Sequence, residues 1–332
     1  MPGSPMQALQ LRALGEMVQV TLPRPEPAAG EVLIRTEAAT ICTSDLHDIA
    51  GNPFHIPLPR VLGHEAAGVI AACGPGVSGL APGQRVAAHP VVPCGGCAEC
   101  RRGFGHLCLR LGHLGYDRDG AFAEYFTHRA DRVRVLPAGM PPEFGALLEP
   151  VAVCLQAVAR AGDVRGRRVL VAGDGPFGNL IARLARRAGA DVVVSGREPF
   201  RLRRIPGVET TTGGVPDGSV DAAILAVSSE AAAAACLAAL RPRGRLVVFS
   251  TLAGAMPVDL RGLHLREQEI VGACNDEERL DEALAGLADP GLAVGELITH
   301  RLPFTRWPEA LALARDGHDR ALKVALLFSN PP

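Results

Sequence analysis

The densest group of metal-binding side chains in the chain is a set of four cysteines, Cys94, Cys97, Cys100 and Cys108, with the spacing C-x2-C-x2-C-x7-C. Four thiolates in one loop fit a single tetrahedral zinc ion in a closed, structural site. Ferredoxin-type iron–sulfur ligation is the nearest alternative, but that pattern has three residues before its last cysteine and a proline after it. Here the gap is seven residues and Leu109 follows. Because unligated buried thiols rarely share such spacing, the pattern predicts a structural zinc site.

A second set of donors is spread along the first half of the chain: Cys42, the pair His64-Glu65, and Glu149. Taken singly, a cysteine is usually a core residue and a His-Glu pair is usually on the surface. Together they supply a thiolate, an imidazole and two carboxylates. This mixture is typical of a catalytic zinc that keeps one position open for water or substrate.

A glycine-rich loop follows in the second half, where residues 171–178 contain G-x-G-x-x-G after a predicted strand and before a predicted helix. In that setting the pattern is the dinucleotide fingerprint, which places the pyrophosphate at the helix N-terminus. The expected cofactor-binding residues in this loop are Gly173, Gly175, Pro176, Phe177 and Gly178.

The end of the next strand bears on the choice between NAD and NADP. A carboxylate usually holds the adenosine ribose 2′-hydroxyl there, but this chain has Ser195, Gly196 and Arg197. Small residues followed by Arg197 leave room and positive charge for a 2′-phosphate, and Arg201 reaches the same group if the turn is helical. The neighbouring Glu198 opposes this interpretation, and a solvated surface arginine is the alternative. The sequence favours NADP, with NAD as the alternative cofactor.

Hydropathy patterning divides the chain. Residues 1–150 contain short strands with Pro-Gly turns between them, which predicts a β-rich domain. In residues 151–274, apolar strands alternate with helices, for example a strand over 168–172 and a helix over 180–187, which predicts a doubly wound parallel sheet. Residues 275–332 are too few for a third domain, so we expect them to pack against the first segment. The predicted fold class is α/β.

Composition excludes several classes of function. The chain has 332 residues, 48% of them hydrophobic, and a formal net charge of −1, which argues against disorder and against a basic nucleic-acid surface. Lys323 is the only lysine, so P-loop and Schiff-base chemistry have no plausible residue. Nine cysteines do not match a small disulfide scaffold, and no apolar run reaches the length of a membrane span. We expect a cytoplasmic protein with neither nucleic acid nor membrane as a partner.

The motifs, in their order along nearly the whole chain, resemble those of the zinc-dependent medium-chain alcohol dehydrogenases. They are Cys42-Thr43-Ser44-Asp45-Leu46-His47, Gly63-His64-Glu65 with Gly68 and Gly74, the four cysteines, Gly120-Ala121-Phe122-Ala123-Glu124-Tyr125, Leu148-Glu149-Pro150 and the glycine loop. Glu149-Pro150 is similar to the polyol branch, which includes sorbitol, threonine and butanediol dehydrogenases. Residues 114–120 are most similar to 2-deoxy-scyllo-inosamine dehydrogenase. The resemblance implies a GroES-like catalytic domain over 1–150 and 275–332, and a Rossmann domain over 151–274.

The resemblance also implies roles for individual residues. The implied ligands of the catalytic zinc are Cys42 and His64, with Glu65 and Glu149 bound directly or through water. Asp45 would orient His64, and Ser44 and His47 would relay the alcohol proton to solvent. Relatives that act on sorbitol have an aromatic residue and an arginine against the polyol, where this chain has Ala273-Cys274-Asn275. This departure disfavours sorbitol and leaves Asn275 as a candidate substrate contact.

The sequence therefore predicts an oxidoreductase that uses zinc and NADP(H) on a secondary alcohol or ketone of a polyol, cyclitol or amino sugar. Threonine or a simple secondary alcohol is the alternative substrate. A noncatalytic dinucleotide-binding protein with only the structural zinc is the alternative of another class. The family resemblance implies a homodimer or homotetramer. Five other histidines are expected on surface loops: His55, His89, His106, His113 and His128.

Overall fold

The computed structural model describes residues 4–252 and 254–328, which form two compact units. The first unit contains the chain up to Pro150, then Leu280–Pro290 and the chain from Ile298 onward. The second unit contains Val151–Arg279 and Gly291–Leu297. The segment expected to complete the catalytic domain is therefore divided, because residues 275–279 and 291–297 group with the second unit.

Strands and helices are numbered separately in chain order. The strands are β1 (Pro5–Ala13), β2 (Glu16–Pro23), β3 (Glu31–Thr40), β4 (Arg60–Val61), β5 (Glu65–Cys73), β6 (Arg85–Ala88), β7 (Val91–Val92), β8 (Gly112–His113), β9 (Tyr125–Arg129), β10 (Val133–Val135), β11 (Arg168–Ala172), β12 (Asp191–Ser195), β13 (Glu209–Thr211), β14 (Val220–Leu225), β15 (Leu240–Val248), β16 (Glu269–Gly272), β17 (Ile298–Pro303) and β18 (Lys323–Leu327). The helices are α1 (Thr43–Gly51), α2 (Ala98–Arg101), α3 (Pro142–Gly145), α4 (Leu148–Arg160), α5 (Pro176–Arg187), α6 (Pro199–Leu202), α7 (Glu230–Ala239), α8 (Leu260–Leu265), α9 (Leu280–Ala288) and α10 (Trp307–Asp316). Short 3₁₀ turns cover Gly105–Leu107, Ala130–Arg132, Pro290–Leu292, Val294–Glu296, Phe304–Arg306 and His318–Arg320.

The first unit is built on a mainly antiparallel sheet with the strand order β10-β6-β5-β3-β18-β17, to which β9 adds by pairing with β3. Strand β3 is central because it pairs with β5, β9 and β18, and it presents apolar side chains such as Ile34 to the core. The largest fully buried side chains packed there include Leu9, Leu11, Ile70 and Phe122. The last strand of the chain thus completes a sheet begun by the first forty residues.

The second unit contains a six-stranded parallel sheet with the order β13-β12-β11-β14-β15-β16. Its central strands are almost wholly apolar and buried, as expected when helices cover both faces. Numbered within the unit, this order is 3-2-1-4-5-6, the doubly wound arrangement of dinucleotide-binding folds. The predicted α/β class, with a β-rich domain and a Rossmann domain, is confirmed.

Arg183 explains why residues 291–297 belong to the second unit. The side chain is buried on α5 and donates to Asn179 Oδ1 at 2.7 Å and to the carbonyl oxygens of Leu292 and Ala293 at 3.0 and 3.2 Å. It also lies 2.8 Å from Glu296. A buried guanidinium is tolerated only when its donors are satisfied, and the 291–297 segment supplies several of the acceptors.

The structure corrects several expectations. Short strands β13 and β16 extend the parallel sheet, although their exposed sequences carry little apolar pattern. His89, His106 and His128 are buried rather than on the surface. The stretch Pro142–Arg160 has the length and hydropathy of a membrane span, but 67% of it is buried within the protein, which is typical of a core helix.

Candidate active site

The four cysteines of the loop converge as the spacing predicts. Their sulfur atoms all lie within 4.8 Å of one another, with separations of 3.5 Å for Cys97–Cys100, 3.7 Å for Cys97–Cys108 and 4.0 Å for Cys94–Cys100. A zinc–sulfur bond of about 2.3 Å gives a tetrahedron with edges of about 3.8 Å. The separations fit that tetrahedron and are far too long for a disulfide.

Backbone amides favour the thiolate form of two of the four cysteines. The amide of Gly96 and other hydrogen-bond donors lower the pKa of the Cys94 thiol to about 5, and the amide of Cys100 is the main group that lowers the pKa of Cys97. The Arg110 guanidinium lies 3.6 Å from the Cys94 sulfur. Because zinc binds thiolates, this donor set fits a four-cysteine zinc site.

Three of the four scattered donors also meet. One ligand atom each from Cys42, His64 and Glu65 lie within 4.8 Å of one another, and all three side chains are buried. Cys42 directly precedes α1, and His64 directly precedes β5, which begins at Glu65. The turn into β5 requires Gly63, whose φ is +93° and whose Cβ would lie 2.5 Å from the Phe122 ring. A thiol, an imidazole and a carboxylate in one buried cluster fit a zinc ion.

Asp45 positions two members of this cluster. Its Oδ2 accepts a 2.9 Å hydrogen bond from the backbone N–H of Cys42, which fixes the start of α1. Its Oδ1 lies 3.3 Å from His64 Nδ1. Burial by itself lowers the pKa of His64, but the charge and hydrogen bond of Asp45 raise it well above its usual value. The arrangement leaves His64 Nε2 directed toward the cluster, and burial raises the pKa of the Cys42 thiol.

Glu65 is paired with the only lysine of the chain. Lys323 Nζ lies 2.6 Å from each Glu65 carboxylate oxygen, and Thr40 Oγ1 donates a short hydrogen bond to the same carboxylate. Both charged side chains are buried. The pairing joins β3, β5 and β18, because Thr40 is opposite Glu65 in one ladder and opposite Ala325 in the other. The composition of the chain, with Lys323 as its one lysine, gives no indication of this buried position.

The remaining predicted residues of the first unit lie as follows. Glu149 is in the first turn of α4, outside the group of three, and its charge acts on the Lys323 ammonium. Ser44 Oγ lies 3.4 Å from His64 Nε2. His47 is exposed on α1 and is not brought into the cluster.

Three rings, which we call the aromatic wall, stand beside His64: Phe54, His113 and Tyr116. The ring of Tyr116 stacks on His113 at 4.2 Å and on Phe54 at 5.4 Å, and His113 lies 5.4 Å from His64. Burial and the nearby His64 lower the pKa of His113 to about 3, so this histidine is neutral. The expectation that His113 is an ordinary surface residue is wrong, although residues 114–120 had carried part of the family resemblance.

Next to Tyr116 of the aromatic wall lies a carboxyl group that the sequence did not indicate as functional. Asp48 is fully buried on α1, one turn after Ser44. Burial and the charge of Asp45 raise its pKa to about 6, while the hydroxyl of Tyr116 counteracts the shift. Ser44 likewise acts on the Tyr116 hydroxyl. The side of the cluster formed by Ser44 and Tyr116 is therefore polar.

In the second unit, the glycine loop has the geometry that the fingerprint requires. Gly173 has φ +127°, and a Cβ there would lie 2.7 Å from the Ala226 carbonyl oxygen. A Cβ on Gly178 would lie 2.0 Å from the Gly173 carbonyl oxygen, whereas one on Gly175 would meet open space. Pro176 opens α5, and Phe177 follows it with its ring 5.5 Å from that of Phe249. The backbone at Gly175 is thus open to a ligand at the helix N-terminus.

The residues at the end of β12 occupy different environments. Ser195 donates to the Gly213 carbonyl oxygen at 3.2 Å, and Arg197 is exposed. Arg201 lies on the short helix α6, with Nη1 3.8 Å from the Asp174 carboxylate. Asn275 also belongs to the second unit, with a positive φ of 51° that asparagine tolerates well.

Comparison with known proteins agrees with this geometry. Residues 28–138 match the alcohol dehydrogenase GroES-like domain. The chain is 32% identical to L-threonine 3-dehydrogenase of Pyrococcus abyssi over 91% of its length and 92% of the relative. It is 31% identical to L-galactonate-5-dehydrogenase of Escherichia coli K12, with 92% and 94% of the two chains covered.

Two solved structures are similar over 98% of this chain. One is described as a zinc-binding dehydrogenase of Sinorhizobium meliloti 1021 bound to NADP, with a TM-score of 0.93, 27% identity and 99% of that chain covered. The other is an Escherichia coli alcohol dehydrogenase complexed with NADH, with a TM-score of 0.91, 26% identity and 100% covered. The chain belongs to the zinc-dependent medium-chain alcohol dehydrogenase family and is an oxidoreductase of small-molecule alcohols. Zinc and a nicotinamide cofactor are properties of this family.

The buried Glu65–Lys323 pair generates a stability prediction. Replacing Lys323 by Met leaves the Glu65 carboxylate buried without its cation, which we expect to lower the free energy of unfolding by about 3–5 kcal/mol. Urea unfolding followed by circular dichroism, at constant zinc loading, measures the change. Lys323→Arg keeps the positive charge and serves as the control. A Lys323→Met protein as stable as the parent would show that the pair is not required to balance Glu65.

Proposed function

We propose that the protein catalyses hydride transfer between a nicotinamide dinucleotide and a secondary alcohol or ketone of a polyol, cyclitol or amino sugar. The observation that carries this proposal is the buried cluster of Cys42, His64 and Glu65 in a member of the zinc-dependent family. A noncatalytic protein that needed zinc only for structure would have no use for this second cluster. The family membership likewise favours the enzyme over the binder.

Cys42 and His64 would hold the catalytic zinc, with Glu65 and Glu149 as direct or water-mediated ligands. When bound, zinc supplies a Lewis acid that lowers the pKa of an alcohol, and the nicotinamide supplies the hydride acceptor. Asp45 holds His64 so that Nε2 faces the metal position. Ser44, 3.4 Å from His64 Nε2, would take the alcohol proton, and the exposed His47 would pass it to solvent.

The polar side of the cluster supports a polyhydroxylated substrate. The hydroxyl groups of Ser44 and Tyr116 lie on the His64 side, where a polyhydroxylated substrate would meet hydrogen-bonding groups and a hydrocarbon chain would meet an unfavourable polar surface. Asn275 is the proposed further contact to a substrate hydroxyl or amino group. The relative named L-galactonate-5-dehydrogenase acts on a polyol acid by its name, which is the same chemical class.

L-Threonine is the second candidate substrate, favoured by the identity to L-threonine 3-dehydrogenases. Threonine shares the secondary hydroxyl beside an amino group with the amino-sugar class. The two candidates differ in the number of further hydroxyl groups that the protein must recognise.

A substrate panel tests the proposed class. We expect kcat/KM for polyols, cyclitols and amino sugars to exceed that for 2-alkanols by at least about tenfold, because buried hydroxyl groups reject substrates that cannot pair with them. Cofactor reduction at 340 nm is the measurement. Tyr116→Phe is expected to narrow the ratio. A higher kcat/KM for 2-alkanols than for every polyhydroxylated or amino-bearing compound would contradict the proposal.

Metal content tests the two zinc assignments separately. We expect roughly two zinc ions per chain in the parent protein and roughly one in either Cys42→Ser or Cys97→Ser, because each variant loses a ligand of one site. Elemental analysis after dialysis measures the content, and Cys236→Ser, a buried thiol outside both groups, is the control. One zinc in the parent, lost with Cys97→Ser alone, would favour the noncatalytic alternative.

The preference for NADP is proposed on Arg197, which is exposed at the end of β12 where a 2′-phosphate would lie. We expect Arg197→Ala to lower the NADP-to-NAD ratio of kcat/KM by about tenfold, because a charge-assisted hydrogen bond to phosphate is lost. Initial rates with both cofactors measure the ratio, and Arg187→Ala on the preceding helix is the control. An unchanged ratio would assign no phosphate contact to Arg197.

Two expectations complete the proposal. We propose a cytoplasmic location, because a reducing compartment keeps zinc-binding cysteines as thiols. We also propose a homodimer or homotetramer, on family resemblance.

A further inference from the structure

Asp174, the residue between the first two glycines of the loop, reaches the end of the neighbouring strand. Its Oδ2 accepts hydrogen bonds of 2.6 Å from the backbone N–H groups of both Arg197 and Glu198. The residue is 8% exposed, so its carboxylate is held at the carboxyl end of β12 rather than in solvent. The glycine loop thus supplies a carboxylate to the end of β12.

Gly196 makes this placement possible. A Cβ on Gly196 would lie 2.5 Å from both Oδ2 and Cβ of Asp174, a distance that real Cβ contacts do not show. A side chain at position 196 and the carboxylate of Asp174 therefore exclude each other. Since the strand end carries no carboxylate of its own, Asp174 supplies the negative charge there.

Asp174 also changes the charge balance around the two arginines. Arg201 Nη1 lies 3.8 Å from Asp174 Oδ1, so part of its positive charge is already offset within the protein. Arg197 donates its backbone N–H to Asp174, but its guanidinium is exposed. The local field that a 2′-phosphate would meet is accordingly weaker than the two arginines suggest.

We propose that Asp174 is a specificity-determining residue that opposes the 2′-phosphate of NADP and accepts a hydrogen bond from the free ribose hydroxyl of NAD. Asp174 and Arg197 then act in opposite directions on the same atom of the cofactor. The inference rests on the proposed function only in that the second unit binds a nicotinamide dinucleotide. Like charges close together repel, whereas a carboxylate is a strong acceptor for a hydroxyl donor.

Binding of two cofactor fragments tests this inference without zinc, substrate or hydride transfer. ADP-ribose and its 2′-phosphorylated form are titrated into parent and Asp174→Asn proteins by isothermal calorimetry. The amide oxygen of Asn still accepts from the two backbone N–H groups, so the loop keeps its hydrogen bonds. We expect the affinity ratio to move toward the phosphorylated ligand by about tenfold, with weaker binding of ADP-ribose itself.

Asp191→Asn is the matched control. It also removes one carboxylate charge, but at the start of β12, where Asp191 pairs with Arg168. That variant is expected to leave the affinity ratio unchanged. An unchanged affinity ratio in Asp174→Asn, with both fragments still bound, would overturn the inference about Asp174 and leave the proposed function standing. If the parent protein binds neither fragment, the dinucleotide part of the proposed function is overturned together with it.

Discussion

The buried carboxylate of Glu65 is the constraint on which the first unit depends. A carboxylate removed from water is strongly unfavourable unless a cation and hydrogen-bond donors meet it, and here Lys323 and Thr40 do so. Lys323 begins the last strand of the chain, 258 residues from its partner. The cluster therefore reaches its charge balance only after β18 has paired with β3. This requirement gives a physical reason why the first unit is assembled from separated segments of the chain.

The single side chain of Asp45 positions both Cys42 and His64. The same carboxylate caps α1 through the Cys42 amide and faces Nδ1 of His64. The orientation of a thiol and of an imidazole is thereby coupled to ordinary helix capping, which stabilises the fold by itself. Since one oxygen accepts from the Cys42 amide and the other faces the His64 ring, loss of Asp45 would disturb the positions of both side chains. The local backbone therefore sets part of the geometry of the cluster.

Features set by local spacing could be predicted from the sequence. The four-cysteine loop, the glycine loop between β11 and α5, and the alternation of apolar strands and helices all depend on residues close in the chain. Pairings between distant residues could not be predicted in this way, and Lys323 with Glu65 is the clearest case. His128 was expected on a surface loop, whereas it lies in β9 with its ring buried and 2.8 Å from the His89 carbonyl oxygen. The short strands β13 and β16 were missed because sheet pairing, not hydrophobic pattern, defines them.

In the second unit, too, a contact between residues distant in the chain changes what the local sequence indicates about the cofactor. A strand that ends without a carboxylate, followed by arginine, indicates NADP when the strand is considered alone. In the folded unit, Asp174 comes from the glycine loop after β11 and occupies the space that Gly196 leaves free. Position 196 has no side chain of its own, but the Asp174 side chain occupies the space beside it. A side chain at position 196 would collide with Asp174, so the carboxylate of Asp174 explains why glycine stands there. The glycine is therefore not independent evidence that the strand end binds a 2′-phosphate.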